Sequence, residues 1–256
     1  MGVATVEILR DRDTPLVRKS GAALTECRFY DSTAPRLRAR GVEMPRAHRV
    51  DVANRLLVLE FVPYPLAPTD YDCPDVLRQL ARIHASEIPL DGVPLFSNTW
   101  TDAETVLAAD CLQLSSRDRH TLKRLQTFQG TIFEPRTLLS GDANIGNWGR
   151  RQDGTVVLFD WERFSTGSPG IDLAALIPGL LPWAAVGDLA RRYLACCDST
   201  SVDPVELARQ TIIAQVWLTI EVTNLLVRRR HPHLSAFLGK YRARFPGWLN
   251  KMTRHV

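Results

Sequence analysis

The most constraining feature of this 256-residue chain is one segment, LLSGDANIGNWGRRQDGTVVLFDWE, at residues 138–162. Three oxygen-bearing side chains, Asp142, Asn147 and Asp160, are spaced so that a turn and one hairpin would bring them together. The turn of that hairpin is predicted at residues 152–154, Gln-Asp-Gly. A hard cation such as Mg²⁺ prefers oxygen ligands of this kind. The segment therefore predicts a metal-dependent site as well as a local fold.

The composition is that of an ordinary globular protein, with 45% apolar and 23% charged residues. A chain of this length can form one large domain or two lobes around a sizeable core. No continuous run of about 18 apolar residues occurs, so we expect no membrane span. The start, MGVATVEILRDRD, alternates like a strand and does not resemble a signal peptide. We expect a cytoplasmic protein.

Charge and cysteine patterns argue against two other classes of site. The five cysteines show no zinc-knuckle or C-x-x-C spacing, which favours free thiols. The net charge of +4 is uneven, because acidic residues exceed basic ones at residues 66–227 and residues 228–256 carry only basic ones. A basic tail can indicate nucleic-acid binding. Here its charges alternate with apolar residues at helical spacing, which is more typical of the solvated face of a terminal helix.

The first 65 residues predict a small antiparallel sheet with one helix. VATVEILR alternates with period two, DRDTP supplies a turn and LVRK resumes the strand. The apolar residues of GAALTECRFYDS have helical spacing. Pro35 either interrupts this helix or opens the next turn. HRVDVANRLLVLEFVPYP predicts a second strand pair. It ends at Pro63 and Pro65, which have no N–H to continue a ladder.

The remainder of the chain predicts helices with a single strand pair, NWGRRQDGTVVLFDW. PDVLRQLARIHAS carries an apolar helix face at Val76, Leu77, Leu80, Ile83 and His84. Further helices are predicted at 102–113, 116–127, 171–180, 184–197, 203–230 and 233–245. The predicted fold class is α+β and bilobal, with a β-rich lobe at 1–65 and a helical lobe at 66–256.

SGDANIGNW followed by LFDWERFSTGSPGIDLA resembles the catalytic segment of the aminoglycoside phosphotransferase and choline kinase family. The resemblance implies a two-lobed protein-kinase-like fold and an ATP- and Mg²⁺-dependent kinase that phosphorylates a hydroxyl of a small molecule. It places Asp142 at the catalytic base position and Asn147 and Asp160 at the metal positions. Asp172, in GIDLA, matches a later family Asp and is expected to be structural.

The resemblance also implies roles in the first lobe, which would bind the nucleotide. Lys19 matches the phosphate-binding lysine, and Glu26 matches the glutamate that pairs with it. The Glu60 carbonyl and the Val62 N–H would bracket adenine, because Pro63 has no N–H to offer. GVATV resembles the loop that covers the phosphates, with Gly2 as its only glycine.

Two departures from the family pattern keep an alternative open. Ser140 stands where the family has a His that braces the catalytic loop, and a Ser would brace that loop less rigidly. The chain also begins at Gly2, inside the expected phosphate loop, so the small lobe is shortened or its true start lies upstream. A catalytically weak pseudokinase that binds nucleotide or ligand is therefore the alternative to an active kinase. Retention of Asp142, Asn147 and Asp160 favours the active kinase.

The acceptor is the least determined part of the prediction. The acidic middle of the chain would suit a cationic antibiotic or an amino alcohol, but it could equally be a solvated surface. Glu221 lies in the apolar helix TIIAQVWLTIEVTNLLV and needs a partner if it is buried. That partner is either a substrate amine or, as we favour, an internal Arg or Trp N–H such as that of Trp217. Glu162 is the second candidate substrate residue. The sequence leaves open the acceptor hydroxyl, the choice of ATP or GTP, and the oligomeric state.

Overall fold

The computed structural model describes residues 4–10, 15–90, 92–198 and 202–256. Its first part is a four-stranded antiparallel sheet in the order β1-β2-β4-β3. The strands are β1 Thr5–Leu9, β2 Leu16–Ser20, β3 Ala47–Asp51 and β4 Leu56–Glu60. The predicted strand pairs are confirmed, whereas the predicted loop at Gly2 and most of the turn after β1 lie outside the described residues.

One helical segment packs on this sheet. It begins as α1 Leu24–Arg28, passes through a π-helical turn at Phe29–Thr33 and continues as α2 Ala34–Arg38. Pro35 lies in the first turn of α2, directly after the π-helical turn, so it does not end the helical segment. The side chain of Phe29 is fully buried and stacks at 4.2 Å on the ring of Trp161, which follows Asp160. The segment therefore joins the small sheet to the part of the chain that contains Trp161.

The larger part of the molecule is mainly helical. Its helices are α3 Pro74–His84, α4 Asp102–Cys111, α5 Ser116–Gln126, α6 Gln129–Phe133, α7 Gly170–Leu176, α8 Trp183–Leu194, α9 Pro204–Arg228 and α10 Leu234–Met252. The predicted apolar face of α3 is confirmed, since all five of its residues are buried. The prediction for α10 was too short, because its helix continues through Pro246. Burial of Phe245, Trp248 and Leu249 offsets the backbone hydrogen bond that this proline removes.

The helical part holds more strand structure than the sequence indicates. Its strands are β5 Tyr64–Pro65, β6 Thr137–Leu139, β7 Trp148–Arg150, β8 Val156–Leu158 and β9 Ser165–Gly167. The predicted hairpin is β7–β8, and β5 adds to it in the order β5-β7-β8. The prediction of a single strand pair is wrong, because β6 also pairs with β9. Strands of three residues are too short to show alternation in a sequence.

The long helix α9 forms the centre of the helical part. Among the described residues it alone is long and apolar enough to cross a membrane by length and composition, with a mean hydropathy of 1.2 over its best window. However, 67% of that window is buried inside the protein. The buried core helix of a globular protein can be equally long and apolar. We therefore interpret α9 as a core helix, around which α4, α7 and α8 pack.

Candidate active site

The side chain of Lys19 lies between two carboxylates. Its Nζ is 2.6 Å from Oε2 of Glu26 and 2.6 Å from Oδ1 of Asp160. Strand β2 supplies the lysine from the middle of the small sheet, and the first turn of α1 supplies Glu26, which is 1% exposed. Burial opposes the charge of Lys19, but the two carboxylates outweigh it and raise its pKa. Burial raises the pKa of Glu26 to about 7, although Lys19 opposes that shift.

Asp160 has an unusual backbone conformation. It follows β8 with φ of 65°, in the left-handed region that Asp adopts more readily than most residues. The next residue, Trp161, is fully buried against Phe29, so the chain must turn sharply between a half-buried carboxylate and a buried ring. This turn directs the Asp160 side chain towards Lys19.

The loop after β6 brings Asp142 and Asn147 together. Asn147 Nδ2 donates to the backbone carbonyl of Asp142 at 2.9 Å, and Asn144 Nδ2 donates to Asp142 Oδ1 at 2.7 Å. The Phe159 N–H donates to the Asn147 carbonyl at 3.0 Å, which ties this loop to the residue before Asp160. Burial raises the pKa of Asp142; the amide of Asn144 and the guanidinium of Arg163 oppose this rise, and Asp160 adds to it.

The donor set fits the implied Mg²⁺ ion. Because the nitrogen of Asn147 is committed to a carbonyl oxygen, its Oδ1 is left as the ligand atom. Asp160 contributes a carboxylate whose side chain is 36% exposed. In the described part of the chain no group of three or more His, Cys, Asp and Glu side chains forms a metal cluster. The arrangement thus suits an ion that completes its shell with water and phosphate oxygens, as Mg²⁺ does.

Asp172 holds the loop before Asp142 in place. It is fully buried and accepts hydrogen bonds from the Ser140 N–H at 2.8 Å, the Gly141 N–H at 2.9 Å and the Ser140 hydroxyl at 3.1 Å. The expected structural role of Asp172 agrees with these contacts. The Ser140 hydroxyl and the Ser140 N–H both bond the Asp172 carboxylate, so Ser140 contributes to holding this loop.

His84 provides further support beneath this loop. Its Nε2 lies 3.1 Å from Asp172 Oδ2, and its Nδ1 lies 2.8 Å from the hydroxyl of Tyr193. A hydroxyl that donates to Nδ1 leaves Nε2 protonated to donate to the carboxylate. The sequence predicted His84 as a packed residue, and it is buried. Its contact with Asp172 was not predicted, because the three residues lie on α3, α7 and α8.

Gly141 allows a very close approach by the chain after β8. A Cβ at this position would lie 1.9 Å from the carbonyl oxygen of Arg163, and its φ is 77°. Only glycine fits both the space and the conformation. The two loops that carry Asp142 and Asp160 are therefore in backbone contact.

The segment that links the two lobes is clamped by Arg151. Its guanidinium bonds both carboxylate oxygens of Glu60, at 2.7 and 3.0 Å, and Glu43 at 2.6 Å. The side chain of Glu60 is thus structural, whereas the sequence argument concerned its carbonyl. Among the described residues the Val62 N–H makes no hydrogen bond, and the Val62 side chain contacts Gly149 on β7. Arg151 was missed because an arginine in a hairpin carries no sequence signal for such a clamp.

The two candidate substrate residues differ in their partners. Glu221 forms an ion pair with Arg163, whose guanidinium also lies 4.6 Å from the ring centre of Phe96. The favoured prediction, an internal arginine partner, agrees with this contact, whereas Trp217 donates elsewhere, to the Thr99 carbonyl. Glu162 is half-buried and forms no ion pair with any described residue.

A family model described as the phosphotransferase enzyme family matches residues 8–195 of the chain, which is most of its length and includes every residue of this site except Glu221. The chain belongs to the phosphotransferase enzyme family. Membership of this family makes the protein a small-molecule kinase, as the resemblance of its residues 140–175 implied. No curated protein matches it closely in sequence.

Solved structures show the same fold at low sequence identity. A choline/ethanolamine kinase family protein from Mesorhizobium loti aligns with a TM-score of 0.63 and 14% identity, covering 98% of this chain and 90% of that one. Spectinomycin phosphotransferase in complex with ADP and spectinomycin aligns at 0.62 and 12%, covering 100% and 90%. Choline kinase from Streptococcus pneumoniae aligns at 0.54 and 15%, covering 94% and 92%. The predicted α+β, protein-kinase-like fold of the phosphotransferase is confirmed.

Proposed function

We propose that this protein transfers the γ-phosphoryl group of ATP to a hydroxyl of a small amino alcohol or cationic antibiotic. The observation that carries the proposal is the convergence of Lys19, Glu26 and Asp160 on one side and Asp142 and Asn147 on the other. The backbone bond between Phe159 and Asn147 joins the two groups. Phosphoryl transfer needs this inventory and little more, since positioning and electrostatics supply most of the rate.

The nucleotide would bind between the small sheet and the helical lobe. In this proposal the free Val62 N–H and the Glu60 carbonyl hold adenine, and Lys19 holds the phosphates. Solved structures of the fold in complex with AMP, ADP and GDP support nucleotide binding by this fold. The ATP requirement also accords with the proposed cytoplasmic location.

The transfer itself would follow from the placement of Asp142. Its carboxylate accepts the proton of the acceptor hydroxyl while the hydroxyl oxygen attacks the γ-phosphorus in line. The bond from that phosphorus to the β–γ bridging oxygen breaks, and ADP leaves with the electron pair. Asn147 Oδ1 and Asp160 would hold Mg²⁺, which would supply neutralisation of the phosphate charge. Lys19 would move from Asp160 to a phosphate oxygen when the nucleotide binds, before the transfer.

The two carboxylates Asp142 and Glu162 favour an acceptor with an amino group. Glu162 and Asp142 are carboxylates that no Lys or Arg pairs with among the described residues, and they would attract a cation. Glu221 is a weaker candidate, because Arg163 already neutralises it. The solved structures of the fold include choline, aminopropanol and spectinomycin kinases, whose names denote amino-bearing alcohols.

The proposal is tested by measuring ADP or GDP release with a panel of amino alcohols and aminoglycosides, with and without Mg²⁺. We expect acceptor-dependent, Mg²⁺-dependent turnover that falls about 10²- to 10⁴-fold in Asp142→Ala, because that variant lacks the proton acceptor. Asp153→Ala removes an exposed aspartate from the hairpin turn and should retain full activity. Absence of acceptor-dependent release with either nucleotide, despite nucleotide binding, would favour the pseudokinase alternative.

A further inference from the structure

A second concave site lies between helices α5 and α10, built from residues outside the proposed active site. It is a cavity of about 320 Å³ lined by Arg117, His120, Thr121, Arg124, Asn250, Thr253 and Arg254. The α5 residues occur at spacings of three and four, so they share one face of the helix. None of them belongs to the loops that carry Asp142 and Asp160. We call this cavity the α5–α10 pocket.

The α5–α10 pocket concentrates unpaired positive charge. Three arginines line it, at positions 117, 124 and 254, and none of them forms an ion pair with any carboxylate in the described ranges. By contrast the neighbouring Arg119, which does not line the pocket, pairs with Asp110 at 2.7 Å. Three like charges around one cavity repel one another unless an anion or solvent compensates them. The pocket thus has the electrostatic character of an anion site.

Asp118, the acidic residue beside Arg117, forms its hydrogen bonds with Ser115 and Asn250. Asp118 is 5% exposed and accepts a hydrogen bond from the Ser115 hydroxyl at 2.6 Å. It also accepts from Nδ2 of Asn250 at 2.8 Å. This carboxylate helps hold α5 against α10 and forms no ion pair with any of the three arginines.

Hydrogen-bonding geometry narrows the class of anion. Arginine presents a planar fork of N–H donors that matches phosphate and carboxylate oxygens. Three arginines, with His120 and the Thr121 hydroxyl, supply several donors within a volume suited to a small ligand. We propose that the α5–α10 pocket binds a small phosphate-bearing anion, independently of the proposed active site.

The test uses the full chain and inorganic pyrophosphate, titrated calorimetrically with EDTA present. Wild type is compared with Arg117→Gln/Arg254→Gln and with a control, Arg40→Gln/Arg229→Gln. The control removes the same charge from two exposed arginines that form no ion pair with described residues. We expect the pocket variant to lose pyrophosphate affinity at least tenfold and the control to bind within twofold of wild type. Pyrophosphate held by Lys19 would persist equally in all three proteins.

A parallel titration with ADP separates free phosphate compounds from nucleotides as the source. If the pocket variant loses affinity for pyrophosphate but not for ADP, the ligand is a free phosphate compound. If it loses affinity for ADP to the same extent, the ligand is a nucleotide. Thermal unfolding checks that the pocket variant is folded. A folded pocket variant that binds pyrophosphate as wild type does overturns the proposal, as does a wild type that binds none. A tungstate-soaked crystal with no anomalous density between α5 and α10 would also contradict it.

Discussion

The ammonium group of Lys19 lies 2.6 Å from the carboxylate of Asp160, although the two residues are 141 positions apart. This contact joins the small sheet to the end of strand β8 across the space where we place the nucleotide. In the proposed reaction Asp160 holds a metal ion and Lys19 holds a phosphate, so the bond between Lys19 and Asp160 must break.

Replacement of Lys19 tests this arrangement. Lys19→Met should lower kcat about 10²- to 10³-fold, because it removes a cation that stabilises the transferring phosphoryl group. Steady-state kinetics with the best acceptor measures the effect. Arg18→Met is the matched control, since Arg18 lies next on β2 and pairs only with the exposed Glu7. An equal loss of kcat in both variants would mean that the effect comes from disturbing strand β2 and not from removing the Lys19 ammonium group.

The hydrogen bonds of Asp172 to the loop before Asp142 predict two very different losses of stability. Asp172→Ala leaves the Ser140 and Gly141 N–H groups buried without an acceptor, so unfolding free energy should fall by about 3–5 kcal/mol. Ser140→Ala loses one hydroxyl bond and should cost about 0.5–1.5 kcal/mol. Urea unfolding measures both. Similar values for the two variants would contradict the central role of Asp172.

Two glycines with positive φ separate backbone strain from steric contact. Gly154→Ala should cost about 1–2 kcal/mol, since φ is 88° but no atom lies within 4 Å of the new Cβ. Gly141→Ala meets the Arg163 carbonyl at 1.9 Å and should cost at least twice as much and abolish turnover. Thermal unfolding and activity assays measure these effects. A Gly141→Ala variant as stable and active as Gly154→Ala would show that the loops can separate.

The Arg151 clamp predicts a pH-dependent stability. Burial favours a raised pKa for Glu60, but its bonds from Arg151 and the Arg46 N–H outweigh burial and lower the pKa below its ordinary value of 4.5. A lowered folded pKa stabilises the protein above the unfolded pKa, and this contribution is lost as pH falls through the folded pKa. Arg151→Ala should cost about 1–3 kcal/mol at pH 7 and flatten the loss of stability below about pH 5.

Chemical unfolding from pH 3 to pH 8 tests the clamp. Arg136→Ala serves as the control, because Arg136 is an exposed arginine whose ion-pair partner, Glu134, is exposed as well. That variant should keep the acid dependence of the wild type. An Arg151→Ala curve parallel to the wild-type curve would contradict the assignment.

The acceptor proposal predicts different effects for the two candidate glutamates. Glu162→Gln should raise KM for an amino-alcohol acceptor about fivefold, which corresponds to about 1 kcal/mol of lost charge attraction. Glu221→Gln should change KM less than twofold, since Arg163 already neutralises Glu221. Kinetics at low and high salt measures both values, and a larger effect at Glu221 would show that the acceptor opens the ion pair.

Some features followed from local patterns alone. The strands of the small sheet, the apolar face of α3 and the β7–β8 hairpin follow from periodicity and turn residues, which act over a few positions. The spacing of Asp142, Asn147 and Asp160 was informative for the same reason, because one short hairpin joins them. By contrast, β6 and β9 are three residues each and separated in sequence, so only their pairing defines them as strands.

The sequence by itself thus determined the element types of the long segments, the family and the identity of the candidate site residues. Only the tertiary structure decided their partners: His84 and Ser140 on Asp172, Arg163 on Glu221, and Arg151 on Glu60. The physical reason is that backbone propensities are local, whereas an ion pair or a buried hydrogen bond depends on which distant segments packing brings within about 3 Å.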